Sequence, residues 1–258
     1  MTRRAIAVVL CGFLAAVLAA ALVGCGATTL PAVHSEPERM ATARRMIERK
    51  NWVSAQELLK GYIKNNPGSA DIDQAVYLLG LCYLNNHDYV QATTEFDRMT
   101  HDYPESDSTP SASYRLGEAY FAQARPPDFD QDFTHKAIDQ WTGYLRDYPG
   151  HWLNPAAEQQ LNKAKSRLAT KLVETGELYL RLGYPTPART YFQRVEQEYS
   201  ETTLIPRVEL GLARCDAKER LYPEAIARYK QIEERFPRSH EAYFAGRERK
   251  KLEKRHHP

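Results

Sequence analysis

An alanine followed four residues later by a large apolar side chain, and twelve residues later by proline, recurs along the chain. The set, with Ser in place of Pro once, is Ala55-Leu59-Pro67, Ala92-Phe96-Pro104, Ala137-Trp141-Pro149, Ala188-Phe192-Ser200 and Ala225-Tyr229-Pro237. A four-residue step places both apolar side chains on one helix face. Proline ends each helix because it cannot continue one. The pattern predicts five amphipathic helices.

A second pattern lies upstream of these helices. Its members are Leu79, Gly80 and Tyr83, then Leu116, Gly117 and Tyr120, then Gly176 and Tyr179. A glycine lets two antiparallel helices approach closely, and we expect the alanine of the second helix to receive that contact. The aromatic residues then fill the space between one hairpin and the next. The two halves together are typical of tetratricopeptide (TPR) repeats.

The predicted fold is all-α, a right-handed solenoid of five TPR-like helix hairpins. The repeats fall at about 36–70, 71–107, 108–152, 156–203 and 204–240, and a basic C-terminal helix or tail follows at 241–258. Such a solenoid presents a concave face lined by the first helix of each pair.

Two irregularities interrupt the repeat. The third unit carries eight extra residues between Tyr120 and Ala137, and Pro126-Pro127 within them predicts a loop. The step from Ala137 to Ala188 is 51 residues, which is 14 more than the usual 37. Since no helix breaker follows Pro155 until Gly176, this stretch predicts one unusually long helix.

The N-terminus is typical of a secretory signal. Arg3 and Arg4 precede an apolar run over 5–23, which ends in the letters LVGC at 22–25. That ending resembles the lipobox of bacterial lipoproteins, which implies cleavage after residue 24 and lipid attachment to Cys25. The alternative is an uncleaved transmembrane anchor, because 19 apolar residues nearly span a bilayer.

Lipidation would place the chain at a membrane surface. By the lipoprotein sorting rule, Gly26 favours the outer membrane, since Asp at that position favours retention in the inner membrane. The body of the chain would then lie on the periplasmic face, joined to the lipid by a tether over 25–35 of small and polar residues.

Charge and composition exclude several functions. The chain has 35 basic and 33 acidic residues, and this balance argues against a nucleic-acid binder, which needs a concentrated basic face. No nucleophile motif occurs, and the histidines are scattered over different repeats. We therefore expect no enzyme activity, no cofactor and no metal. Cys82 and Cys215 occupy equivalent places in the second and fifth repeats, which predicts buried, free thiols.

The repeat register places two sets of side chains on the concave face. The first set, largely apolar and aromatic, is a predicted groove for an extended chain and comprises Met40, Ile47, Tyr77, Leu81, Leu84, Tyr114, Glu118 and Phe121. The second set is polar and suits docking of a folded partner; it comprises Arg181, Arg207, Arg214 and Lys218. The alternative for the groove is that neighbouring helices cover it.

The segments 128–151, 176–202 and 222–237 resemble the third, fourth and fifth repeats of the BamD family of outer-membrane β-barrel assembly factors. The insertion before Ala137 and the lengthened fourth unit are shared features. The resemblance implies a non-catalytic scaffold in the outer membrane. Its N-terminal repeats would bind unfolded outer-membrane proteins, and its C-terminal repeats would dock a POTRA-containing β-barrel subunit beside other assembly lipoproteins.

Some features leave alternatives open. Ala217 stands where the family leads us to expect a basic, partner-contacting residue, and Arg214 or Lys218 would have to substitute. The chain could instead be another TPR interaction lipoprotein, such as a secretin pilotin or a cell-envelope division factor. The basic stretch 247–255 predicts a solvated capping helix, and the alternatives are a surface for an acidic protein or for anionic lipid headgroups.

Overall fold

The structure is a computed structural model that describes residues 35–256, and every regular element in that range is a helix. The helices are α1 (Glu36–Glu48), α2 (Trp52–Asn65), α3 (Ile72–Asn85), α4 (Tyr89–Asp102), α5 (Thr109–Gln123), α6 (Asp132–Asp147), α7 (Asn154–Leu182), α8 (Pro185–Glu198), α9 (Ile205–Lys218), α10 (Tyr222–Arg235) and α11 (His240–His256). The all-α prediction is confirmed. The signal sequence and Cys25 lie outside the described residues, and the handedness and repeat boundaries stay predictions.

The chain divides after Pro67 into two compact units. In the described part of the first unit, α1 packs against α2. Ala43 on α1 and Ala55, Leu59 and Tyr62 on α2 are buried. Burial of a leucine-sized side chain stabilises a fold by about 1.5–3 kcal/mol, so this interface holds the pair together.

In the second unit, each helix packs chiefly against the next one along the chain. The alternate helices α3, α5, α7, α9 and α11 also contact one another in succession. This is the contact pattern of stacked helix pairs, in which each pair covers the apolar side of its neighbour.

The glycines of the first helices mark the closest approaches between helices. A Cβ atom on Gly80 would lie 2.7 Å from the ring of Phe96, and Gly117 lies directly against the indole of Trp141. Trp141 is fully buried, and its Nε1 donates a hydrogen bond to the Tyr114 carbonyl at 3.2 Å. The nearest neighbour of each glycine is thus an aromatic ring, four residues beyond the alanine that the sequence had indicated.

Both irregularities appear as predicted. The segment that contains Pro126-Pro127 is a loop, and Gln131 donates to the carbonyls of Pro126 at 2.8 Å and Phe129 at 3.1 Å. The long helix is α7, whose 29 residues run through Gly176 without a break. It ends at Gly183, which adopts a left-handed φ of 86° that glycine tolerates without steric cost.

The chain's basic stretch lies on α11, which covers the end of the second unit. Ala242 and Ala245 are buried against α9 and α10, and Phe244 and Leu252 pack beside them. Among residues 35–256, no helix has the combined length and apolar character needed to cross a bilayer.

Candidate binding surfaces

A recess of about 540 Å³ lies between α3 and α5. It is lined by Leu81, Leu84, Asn85, His87, Tyr89, Arg115, Glu118 and Ala122. Three of the predicted groove residues are therefore together in one place, namely Leu81, Leu84 and Glu118. We call this feature the α3–α5 recess. Its apolar side chains and polar rim could accept an apolar side chain of an extended peptide.

Other predicted groove residues in this unit belong to the packing between helices. Tyr114 is 3% exposed, and its hydroxyl donates to Glu118 Oε1 at 2.9 Å. Burial, and then the charge of Glu118, raises the pKa of Tyr114 well above its usual range. Phe121 lies under the guanidinium of Arg167 on α7, 4.2 Å from the ring centroid. The half-buried Tyr77 has its ring 6.2 Å from that of Phe96. None of these three side chains is among the residues that line the recess.

The remaining two groove residues lie in the first unit. Met40 is 4% exposed and belongs to the core between α1 and α2, and Ile47 is half-buried. Met40 is therefore a packing residue within its own helix pair, and only Ile47 offers part of its surface to a ligand.

A larger cavity of about 900 Å³ is formed by α7, α9, α10 and α11. Its lining is Glu177, Leu180, Arg181, Arg214, Ala217, Lys218, Tyr229, Glu248, Lys251, Leu252 and Arg255. We call it the cationic cavity, because five basic side chains face two carboxylates. Leu180, Ala217 and Leu252 supply apolar surface. This combination suits an acidic side chain carried on an apolar surface.

Arg214 lies in this cavity but is already paired. Its Nη2 is 2.6 Å from Glu248 Oε1 on α11, and Tyr229 donates its hydroxyl to Glu248 Oε2 at 2.9 Å. Burial works against the charge on Arg214, but the hydrogen bonds and charge of Glu248 outweigh it and raise the pKa of Arg214. Arg214 therefore holds α11 in place as well as lining the cavity.

Arg207 is paired as well. Its Nε and Nη2 each donate to the Glu177 carboxylate at 2.7 Å, which joins α9 to α7. These hydrogen bonds raise the pKa of Arg207 against the effect of burial. Arg207 and Arg181 line a second recess of about 520 Å³, which shares Glu177 with the cationic cavity.

Arg181 and Lys218 differ from the two paired arginines. Both are exposed, and neither has a carboxylate partner among the described residues. Both line the cationic cavity together with Ala217, which replaces the expected basic residue. Of the four predicted docking residues, these two are the ones free to bind a partner without first breaking an internal ion pair.

Sequence reasoning missed the contribution of α11 to this site. Lys251, Leu252 and Arg255 line the cavity, and Glu248 orients Arg214. The basic stretch 247–255 was visible in the sequence, but no local spacing relates it to α9. Within residues 35–256, no group of three or more His, Cys, Asp or Glu side chains is arranged to hold a metal ion.

Comparison with known proteins decides the family. A family model described as "YfiO: Outer membrane lipoprotein" matches residues 34–207, about two thirds of the chain. The chain belongs to the YfiO outer membrane lipoprotein family. The matched range contains α1 to α8 and the start of α9, so every cavity-lining residue on α9, α10 and α11 lies beyond it.

Among curated proteins, this YfiO family chain is 26% identical over 197 residues to the outer membrane protein assembly factor BamD of Caulobacter vibrioides. The match covers 74% of this chain and 65% of that relative, so it spans slightly less than two thirds of the relative's length. Family membership and this similarity associate the chain with the outer membrane and with BamD-type lipoproteins.

Two solved TPR structures are also similar to this YfiO family member. The TPR2AB domain of yeast Sti1, in complex with pHSP90, matches with 16% identity and a TM-score of 0.44, covering 84% of this chain and 83% of that one. A TPR protein from Parabacteroides merdae matches with 16% identity and a TM-score of 0.38, covering 84% and 72%. Neither value supports a transfer of function.

Proposed function

We propose that this chain is a non-catalytic, lipid-anchored scaffold of the machinery that assembles β-barrel proteins in the outer membrane. In this proposal, Cys25 carries the lipid, and the body of the chain lies on the periplasmic face behind a short tether. The YfiO family match and the similarity to BamD support the proposal that the chain is part of such a machinery.

The observation that carries the docking part is the grouping of Arg181, Arg214 and Lys218 around one cavity. A folded partner that presents carboxylates beside an apolar patch would complement both these basic side chains and the apolar surface of the cavity. Charge complementarity of this kind speeds association and selects the partner, because like charges opposed across an interface cost several kcal/mol. We assign this surface to a POTRA-containing β-barrel subunit.

The α3–α5 recess supports the second part of the proposal, which is the binding of unfolded outer-membrane proteins. Leu81 and Leu84 are only half-buried and lie beside the polar Asn85 and Arg115. An extended chain could place an apolar side chain on the leucines and use the polar rim for its backbone. Because the recess offers little apolar surface beyond the two leucines, this contact would be weak and reversible, as a transient folding client requires.

The experiment is a pull-down of the lipidated full chain from its native membrane in gentle detergent. We expect a POTRA-containing barrel to be recovered in near-equal amount. The double variant Arg181→Glu/Lys218→Glu should reduce that recovery about tenfold, because the two introduced carboxylates would repel the acidic residues of the partner. The charge-matched control is Lys230→Glu/Arg238→Glu, which reverses two exposed cations outside the cavity.

Three results would overturn the docking assignment. One is recovery of a secretin or of division proteins without the barrel. Another is equal recovery of the barrel by the double variant. The third is an equal loss of recovery in Lys230→Glu/Arg238→Glu, which would mean that net charge, rather than the cavity, governs the association.

Client binding is tested separately by photo-crosslinking from the exposed Asn85 to an unfolded barrel protein. Leu84→Ser should reduce the crosslinked product several-fold, because it removes apolar surface from the recess. Val90→Ser is the matched control, since Val90 is 62% exposed and lies outside the recess lining. Unchanged crosslinking in Leu84→Ser would refute the assignment of the recess.

A further inference from the structure

The exposed side of α11 carries a continuous stripe of basic residues. Tyr243, Arg247, Lys250, Lys251 and Lys254 are all exposed. They follow one another at steps of four, three, one and three residues, so they lie on one face of the helix. Tyr243 is 62% exposed, and the Arg247 guanidinium lies 5.8 Å from its ring centroid. We call this face the α11 basic stripe.

Two of the three acidic residues of α11, Glu248 and Glu253, are used in internal ion pairs and do not neutralise the stripe. Glu248 accepts from Arg214 on α9, and Glu253 accepts from Arg249 at 2.9 Å. Arg249 also donates to Glu233 on α10 at 2.8 Å. The four cations of the stripe, by contrast, have no carboxylate partner among the described residues.

We propose that the α11 basic stripe binds the anionic headgroup surface of a phospholipid bilayer. The inference rests on the proposed anchoring through Cys25, which would keep the chain at such a surface, and it adds a second contact with the membrane. It concerns residues beyond the range 34–207 that the family model matches.

The shape of the stripe favours a membrane over an acidic protein. Three of the four cations, Arg247, Lys250 and Lys254, lie outside the cationic cavity on an exposed side of the helix, where a flat anionic surface can meet all three at once. Each Lys or Arg held near such a surface strengthens the attraction about fivefold. The exposed Tyr243 at the start of the stripe fits as well, because tyrosine is favoured at membrane–water interfaces. An acidic side chain has a concave alternative nearby in the cationic cavity.

The test uses the full lipidated chain in nanodiscs made either of neutral phosphatidylcholine or of phosphatidylcholine with one third phosphatidylglycerol. Lysines are acetylated with a water-soluble reagent and quantified by peptide mass spectrometry. We expect Lys250, Lys251 and Lys254 to react about fivefold more slowly in the anionic discs, and to recover their reactivity in high salt. Lys230 on α10 is the internal control and should react equally in both discs.

A triple variant, Arg247→Ser/Lys250→Ser/Lys254→Ser, removes charges that do not line the cationic cavity. We expect Lys251 of this variant to react at the same rate in both discs. The matched control removes three exposed cations elsewhere, in Lys64→Ser/Lys230→Ser/Arg238→Ser, and should keep the difference. A helical circular-dichroism spectrum like that of the unaltered chain verifies that each variant folds.

Equal reactivity of Lys250 and Lys254 in both discs would overturn the proposal. Protection that appears in neutral discs only after a POTRA-containing barrel is added would also overturn it, and would assign the stripe to a protein. Anchoring and docking are judged independently of lipid charge, by retention of the chain in neutral discs and by the pull-down. A failure of the proposed function is thereby distinguished from a failure of this inference.

Discussion

Arg214 on α9 and Glu248 on α11 form an ion pair, with 2.6 Å between Nη2 and Oε1. The Arg214 Nε also donates to the same carboxylate, at 3.1 Å to each oxygen, and the hydroxyl of the buried Tyr229 donates to it at 2.9 Å. Three helices therefore meet at one carboxylate. An arginine that the sequence offers as a partner contact is, in the free chain, part of the attachment of the terminal helix.

Glu248→Gln should loosen α11. The change removes the charge that Arg214 and Tyr229 share, and because both ionic side chains are about one third exposed, solvent screening limits the loss to about 1 kcal/mol of unfolding free energy. Urea unfolding measures the loss, and hydrogen exchange should show faster exchange in α11. Glu234→Gln, an exposed α10 substitution, should leave both unchanged. Identical exchange in Glu248→Gln would show that Glu248 does not hold the helix.

Gly117→Ala should destabilise the α5–α6 pair. The added Cβ would overlap the indole of the fully buried Trp141, and overpacking of this kind costs about 1–3 kcal/mol. The measurement is urea unfolding followed by tryptophan fluorescence.

Gly143→Ala on α6 is the control for that substitution. Its Cβ would meet nothing closer than Arg146 Nη2 at 3.9 Å, and alanine is the better helix former by up to about 1 kcal/mol. We expect Gly143→Ala to be neutral or stabilising. A Gly117→Ala protein as stable as the parent would mean that the indole moves aside freely.

Gln131→Ala should release the loop before α6. Gln131 is 5% exposed, and its amide donates to the carbonyls of Pro126 and Phe129 while its oxygen accepts from Thr134 at 2.8 Å. Loss of these buried hydrogen bonds should cost about 1–3 kcal/mol. Chymotrypsin should then cleave after the exposed Phe129 several-fold faster. Gln159→Ala, on the exposed side of α7, should not change the rate, and an equal acceleration there would argue against a specific role for Gln131.

Cys82 and Cys215 should resist alkylation in the native chain. Both are free and fully buried, which confirms the sequence prediction, and burial raises the pKa of each thiol to about 12. At about pH 8 the native thiols stay protonated, so peptide mass spectrometry should find labelling at these positions only after denaturation. Rapid labelling of either cysteine under native conditions would contradict the described packing.

The same raised thiol pKa predicts a dependence of stability on pH. In the unfolded chain the thiols ionise near their usual pKa of about 8.5, whereas the folded chain holds their protons up to about pH 12. The unfolded state therefore loses protons first, and the free energy of unfolding falls as pH rises through this window. The variant Cys82→Ala/Cys215→Ala should show a shallower fall than the parent chain. Parallel curves would refute the contribution of the thiols.

The helical class, the loop at Pro126-Pro127 and the unbroken α7 were predictable from the sequence. Each depends on short-range physics, because helical periodicity, proline's missing donor and the absence of breakers act within a few residues. The equivalence of Cys82 and Cys215 was predictable for the same reason, since repeated units repeat their buried positions.

The binding surfaces were decided by the tertiary structure. Sequence register placed Tyr114 and Phe121 on a concave face, yet Tyr114 is buried and Phe121 lies under Arg167 from a helix more than forty residues away. The repeat register predicted that Arg207, Arg214 and Lys218 are all available to a partner. In the structure, the two arginines are paired with carboxylates of the same chain, and Lys218 is not.

The physical reason is that local periodicity decides on which side of its helix a residue lies. The residue that it contacts depends on how helices distant in the sequence pack. Glu177 meets Arg207 from 30 residues away, and Glu248 meets Arg214 from 34. By itself, the sequence determined the helices of this protein and the side of each helix that is apolar. Only the packing of α7, α9 and α11 decided which charges neutralise one another within the fold and which remain available at its surface.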